Sequence, residues 1–128
     1  MKKSNEEWRQ QLTPEEFRVC REKGTERPFT GELLNQFAPG RYHCTCCGAP
    51  LFDASAKFES GCGWPSFSAQ SQDDNVGYHT DLSHGMRRIE IVCKQCDAHL
   101  GHVFDDGPAP TGQRYCVNSV SLKFIAEP

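Results

Sequence analysis

Apolar and polar positions divide the chain into two regimes. The first forty residues read as helical: Ser4-x-x-Glu7 and Thr13-Pro14-Glu15-Glu16 both have capping-box spacing. The second adds proline at the first helical position and acidic residues in the first turn. This predicts a helix from about Pro14 to Lys23, closed by Gly24, with Phe17 and Cys20 on one stripe. From Arg41 onward short apolar runs alternate with Gly, Pro, Asp and Asn, the look of antiparallel β structure with long loops.

Two strands stand out. In Arg87–Val92 alternation sets Ile89 and Ile91 on one face and Arg88 and Glu90 on the other. Read as one strand, Arg114–Phe124 puts Arg114, Cys116, Asn118, Val120, Leu122 and Phe124 on a shared face, a reactive end running into an apolar one. The expectation is one domain over 1–128, with a helical N-terminal arm at 1–40 and a β core at 41–125.

Composition narrows the chemistry. The apolar share of the 128 residues is only 37%, so a single modest core is expected to need a cross-link. No run reaches the ~18 apolar residues of a membrane span, and the polar N-terminus lacks a signal-peptide pattern. The expected compartment is therefore the cytoplasm, where eight cysteines point to metal binding or catalysis rather than structural disulfides. With 14 basic and 17 acidic residues, net charge is −3, which leaves no basic footprint for nucleic acid.

Cys44-Thr45-Cys46-Cys47 and Cys93-Lys94-Gln95-Cys96 each hold a Cys-x-x-Cys pair. Two such loops can complete the tetrahedral sulfur cage that Zn²⁺ prefers. The stretch from Gly48 to Val92 exceeds a simple zinc ribbon, but each doubling of a loop costs only about 0.6 kcal/mol. One structural Zn²⁺ per chain on Cys44, Cys47, Cys93 and Cys96 is the reading, against a redox pair or an iron–sulfur site. Cys46 reads as a spare thiol within the first loop, and Cys20 as a half-buried helical residue.

Cys62 and Cys116 remain. Cys62 lies in Ser60-Gly61-Cys62-Gly63-Trp64-Pro65, where flanking glycines free the backbone. Cys116 sits two residues from both Arg114 and Asn118, so a guanidinium could favour its thiolate. One thiol placed for attack and one on a glycine-rich segment suggest a sulfenic acid trapped as a disulfide, against two ordinary buried thiols. Trp64, held by Pro65, could wall a pocket or fill the core. Histidines 43, 79, 84, 99 and 102 offer proton donors, His79 and His102 foremost. His99 and His102, three apart, could instead form a second metal pair.

With these segments in view, the chain resembles the B-type peptide methionine sulfoxide reductases, which act on the R epimer. The resemblance runs from about Glu6 to Phe124. It rests on Tyr42-x-Cys44-x-x-Cys47, Gly61–Phe67, Ser83–Arg87, His99–Pro108 and Arg114–Ser119. It implies two antiparallel β-sheets with short N-terminal helices, clamped by zinc. It further implies Cys116 as nucleophile, Cys62 as resolving cysteine and Trp64 against the substrate's S-methyl group. His79, His102 and Asn118 would surround the sulfoxide oxygen, and Arg114 would assist in substrate binding. Oxidised methionine, free or in proteins, is the implied substrate and a thioredoxin the implied reductant. A monomer is expected. Rival readings are a non-enzymatic zinc-ribbon module presenting Trp64 and Phe67 to a protein partner, and a general disulfide oxidoreductase.

Overall fold

The computed structural model describes residues 4–126. Met1, Lys2 and Lys3, part of the polar N-terminus considered above, lie outside the described residues, as do residues 127–128 and the side chain of His84. Both capping boxes form. Ser4 caps helix α1 (Asn5–Gln11) and Thr13 caps α2 (Pro14–Cys20), each reciprocated by a glutamate, Glu7 and Glu16. Helix α2 ends at Cys20, earlier than Lys23, because Lys23 takes a left-handed φ of 60° and the Gly24 N–H closes on the Arg18 carbonyl. The arm is helical only this far: residues 21–39 are turns and irregular chain.

Among the described residues nine strands follow in two antiparallel sheets. The smaller holds β1 (Gly40–Cys44), β2 (Pro50–Asp53) and β9 (Leu122–Ala126) in the order β2-β1-β9. The larger holds β3 (Lys57–Phe58), β4 (Ser66–Phe67), β5 (Val76–Asp81), β6 (Arg88–Cys93), β7 (His99–Phe104) and β8 (Arg114–Val117). Its order is β3-β4-β8-β7-β6-β5. The sheets meet through aromatic rings. Phe52 stacks on Phe67 with centroids 4.4 Å apart, and Tyr42 meets Phe67 edge-on at 5.1 Å. Tyr42, Phe52 and Phe67 are fully buried, each worth about 1.5–3 kcal/mol in transfer free energy.

The segment read as one strand from Arg114 to Phe124 is two. After β8 the chain turns through Ser119–Ser121 as a single 3₁₀ turn and re-enters the other sheet as β9. The shared face therefore ends at the Asn118 corner, and Leu122 and Phe124 belong to the second sheet. No helix among the described residues is long and apolar enough to cross a membrane.

Candidate active site

One row of directly paired residues crosses five strands of the larger sheet. Ser66 on β4 lies opposite Cys116 on β8, Cys116 opposite His102 on β7, His102 opposite Glu90 on β6, and Glu90 opposite His79 on β5. Directly opposed residues share a sheet face. Over the Cys116 end lies a cavity of about 270 Å³ lined by Cys62, Trp64, His99, His102, Arg114 and Asn118 together with Cys116. Gly101 lets β7 come close here: a Cβ on it would stand 2.0 Å from the Cys116 carbonyl oxygen.

The two cavity thiols touch. Cys62 Sγ is 3.3 Å from Cys116 Sγ, and Ser60 and Ser66 hydroxyls lie 3.0 and 3.4 Å from the Cys62 sulfur. Burial works against ionising Cys62, but hydrogen bonds from Ser60, Ser66, the Trp64 backbone and Cys116 outweigh it and bring the thiol down to about 7. Burial, followed by the hydrogen bond to Cys62 and its charge, pushes Cys116 well above the usual thiol value; Arg114 pulls the other way and loses. Arg114 thus favours the Cys116 thiolate, as its spacing suggests, but burial and Cys62 outweigh it. Its guanidinium is committed to Asp106 at 2.9 and 3.2 Å and lies over the Phe104 ring.

Two imidazoles face the cavity, each backed by a carboxylate. His102 Nε2 is 2.8 Å from Asp81 Oδ2, which also accepts from Arg88 at 3.3 Å. His99 Nδ1 is 2.7 Å from Glu90 Oε2 within the buried interior. The His102 contact, followed by hydrogen bonds from Ser83, holds the Asp81 carboxyl below the usual carboxylate range. Burial lowers His99, against the Glu90 hydrogen bond that raises it.

The sequence pairs His99 with His102 only as an alternative metal pair and does not place His99 among the foremost proton donors; strict alternation puts residues three apart on opposite faces. The register between β6 and β7 shifts: Ile91 pairs with Gly101 but Val92 with His99, so Leu100 is an extra residue. That bulge brings both rings to one side, 5.8 Å apart. A histidine pair three apart with a bulge-permitting Gly101 between was the available signal. His79, by contrast, is exposed on the edge strand β5 and is not part of the cavity wall. Two strand spacings of about 4.8 Å separate it from His102.

The N-terminal arm closes the remaining wall. Asn118 Oδ1 accepts the Glu26 N–H at 3.0 Å and its amide donates to the Leu100 carbonyl at 3.0 Å. The Trp64 indole N–H donates to the Glu26 carbonyl at 3.0 Å, which fixes the ring as a cavity wall. Phe29 N–H reaches the Gly63 carbonyl at 2.7 Å. Glu26 is itself buried; Oε1 accepts from Val120 N–H, while Oε2 has no partner.

At the far end of the sheet Cys44, Cys47, Cys93 and Cys96 bring their sulfurs within 4.8 Å of one another, with Cys44–Cys96 at 3.7 Å and Cys47–Cys93 at 3.5 Å. Four thiolates at the usual 2.3 Å from a tetrahedral Zn²⁺ would stand about 3.8 Å apart, so the set fits a metal. Both loops fold alike. Gly48 N–H returns to the Cys44 carbonyl and Asp97 N–H to that of Cys93, with left-handed φ of 81° and 62° at the turns. Cys46 is buried but stands outside this set, and Cys20 meets Ser121 Oγ at 3.6 Å.

A family model for the SelR domain matches residues 12–126. The chain is 62% identical over 125 residues to the peptide methionine sulfoxide reductase MsrB of Chromohalobacter salexigens, covering 97% of this chain and 94% of that one. To the protein of the same name from Cellvibrio japonicus it is 61% identical over 120 residues, 94% and 86% of the two chains. To that of Pseudomonas putida strain W619 it is 61% identical over 122 residues, 95% and 92%.

Proposed function

Since the chain belongs to the SelR-domain family of MsrB methionine sulfoxide reductases, we propose that it reduces methionine-R-sulfoxide to methionine through Cys116 and Cys62, recycled by a dithiol of the thioredoxin type. The protein is an oxidoreductase of this family. The observation that carries the detailed reading is the 3.3 Å contact between the two sulfurs at the wall of a cavity that also holds His99, His102 and Trp64.

A sulfoxide sulfur accepts a nucleophile only when its oxygen is hydrogen-bonded or protonated, because expelling a bare oxide is prohibitive. The Cys62–Cys116 pair carries one proton and one negative charge near neutrality. As Cys116 attacks, its proton passes to Cys62 and an imidazolium gives a proton to the oxygen. The Cys116 sulfur bonds to the substrate sulfur; the hydroxyl on that sulfur then passes to Cys116 as both the S–O bond and the new S–S bond break, so methionine leaves and Cys116 is left as a sulfenic acid. Cys62 sulfur then attacks Cys116 sulfur, and the hydroxyl departs as water with the Cys62 proton. The external dithiol reduces the disulfide and is itself oxidised. The Trp64 ring offers an apolar contact for the S-methyl group, so only one epimer presents its oxygen to the imidazoles.

Asn118, with both ends of its amide tied to backbone, serves here by pinning the arm to β7, and Arg114 by shaping the wall with Phe104 and Asp106. Cys44, Cys47, Cys93 and Cys96 would hold one structural Zn²⁺, whose contribution is to lock the two loops together.

The test is turnover with dithiothreitol of peptide-linked methionine-R-sulfoxide beside the S epimer and a model protein disulfide. The reading expects reduction of the R epimer alone. A zinc-ribbon binding module would reduce none of the three, and a general oxidoreductase would reduce the disulfide.

A further inference from the structure

Glu90 is buried to 4% exposure in the middle of β6, and nothing in the chemistry above uses it. Burying a carboxylate is costly unless charge and hydrogen bonds compensate. Its two oxygens are divided: Oε2 meets His99 Nδ1 at 2.7 Å and Oε1 meets Lys23 Nζ at 3.4 Å. Lys23 is mostly solvent-exposed, so Glu90 stands between a surface cation and an imidazole that lines the cavity. Glu90 itself does not line it.

We propose that Glu90 is a positioning residue for the reduction: its carboxylate accepts the Nδ1 proton of His99, so a further proton taken up by the ring sits on Nε2, the nitrogen left for the cavity. The scheme above passes one imidazolium proton per turnover to the substrate oxygen, made good overall by the thiols of the reductant, and this arrangement puts it on the reacting side. Its negative charge also makes the imidazolium attainable inside a site whose burial disfavours it. A ring free to take the other tautomer would spend its proton facing the protein.

The titratable and charged groups around His99 are Glu90 and Arg88 from β6, His102 from β7, Cys116 and Arg114 from β8, Cys62 from the loop before β4, and Lys23 from the arm. Asp81 acts on this set through His102. Among the described residues only Glu90 combines burial with a direct side-chain bond to the His99 ring.

This inference rests on the sulfoxide reading of the cavity, and two measurements keep them apart. The first is the ¹⁵N NMR tautomer of His99 in the reduced wild-type protein, which needs no turnover: the Nδ1–H form is expected, and a dominant Nε2–H form overturns the assignment. The second is Glu90→Gln, which keeps shape and an acceptor oxygen but loses the charge. At pH 8 kcat should fall at least tenfold with KM within threefold, and the alkaline limb of the kcat profile should move to lower pH. Wild-type kcat in this variant from pH 6 to 9, with only a lower melting temperature, would make Glu90 a structural residue and end the proposal. If wild-type enzyme does not reduce the sulfoxide at all, the functional reading fails, and the NMR result alone decides the Glu90–His99 pairing.

Discussion

Cys62 Sγ and Cys116 Sγ lie 3.3 Å apart although one sits on a loop between glycines and the other on a central strand. The closing of a disulfide, with S–S near 2.05 Å, therefore asks for little more than a shift of the Gly61–Gly63 loop. Cys116→Ser is expected to abolish even a single turnover of methionine-R-sulfoxide. Cys62→Ser should still yield close to one methionine per enzyme, with multiple turnover by a thioredoxin reduced at least tenfold. Quenched-flow product counts check both, and equal single-turnover loss in the two variants would contradict the division of labour.

The shared proton of the pair has its own signature. Alkylation of reduced enzyme against pH should show a thiol with a midpoint of about 7, carried by Cys62. In Cys62→Ser the hydrogen bond and charge that raise Cys116 disappear, so the Cys116 midpoint should fall from its wild-type position. Mass-spectrometric mapping of the alkylated peptide reads which sulfur reacts at each pH.

How much of this could be read from the chain depends on the range of each interaction. The capping boxes, the strand at Arg88–Cys93 and the paired Cys-x-x-Cys loops are local patterns, and each has its counterpart in the structure. The position of His99 was hidden because a bulge at Leu100 overrides period-2 counting. Asp81 and Glu90 were not legible as imidazole partners, since only the pairing of β5, β6 and β7 brings them to the rings. The split of Arg114–Phe124 was likewise invisible: its alternation continues through Asn118, and only the Ser119–Ser121 turn sends the chain to the other sheet. At Cys116 burial and the contact with Cys62, neither visible in the sequence, outweigh the pull of Arg114.

The metal reading separates the three cysteines of the first loop. Cys44→Ser removes one of four converging sulfurs and should lose bound zinc, with a fall in melting temperature of roughly 10 °C or more, as expected when a few kcal/mol are lost from a small domain. Cys46→Ser leaves the four intact and should keep one zinc per chain. Metal analysis beside thermal melts tests the pair, and zinc loss in Cys46→Ser would redraw the ligand set.

Glu26 links the arm to the cavity while burying a carboxyl whose Oε2 has no partner. Burial raises its pKa from 4.5, and the Ser119 and Val120 backbone bonds only partly offset this. The native state thus holds the proton to higher pH than the unfolded chain does. The stabilisation this brings is full below pH 4.5 and is lost as pH rises through the raised native value. Glu26→Gln keeps an acceptor for the Val120 N–H and has nothing to ionise. Its stability at pH 7 should equal or exceed wild type, with a flatter profile above pH 4.5. Denaturant melts across pH 4–8 decide it, and a marked loss at pH 7 would show that the ionised form is the one the fold requires.

The two histidine expectations part company on geometry. His79 shares the sheet face of Cys116, but three strand spacings of about 4.8 Å separate them, and the side chain is exposed on the edge strand. A methionine side chain seated against Trp64 and Cys116 is out of its reach, so His79→Ala should keep kcat/KM within about threefold, below the 10²–10⁴ that a general acid contributes. His102 stands directly opposite Cys116, and its Nε2 is tied to Asp81. Asp81→Asn keeps the outline of that bond but removes the carboxylate 2.8 Å from the ring that orients it, and should lower kcat at least tenfold with little change in melting temperature. Steady-state kinetics of both variants on the same peptide sulfoxide settles the matter. A larger loss from His79→Ala than from Asp81→Asn would mean that the edge strand moves over the cavity during turnover.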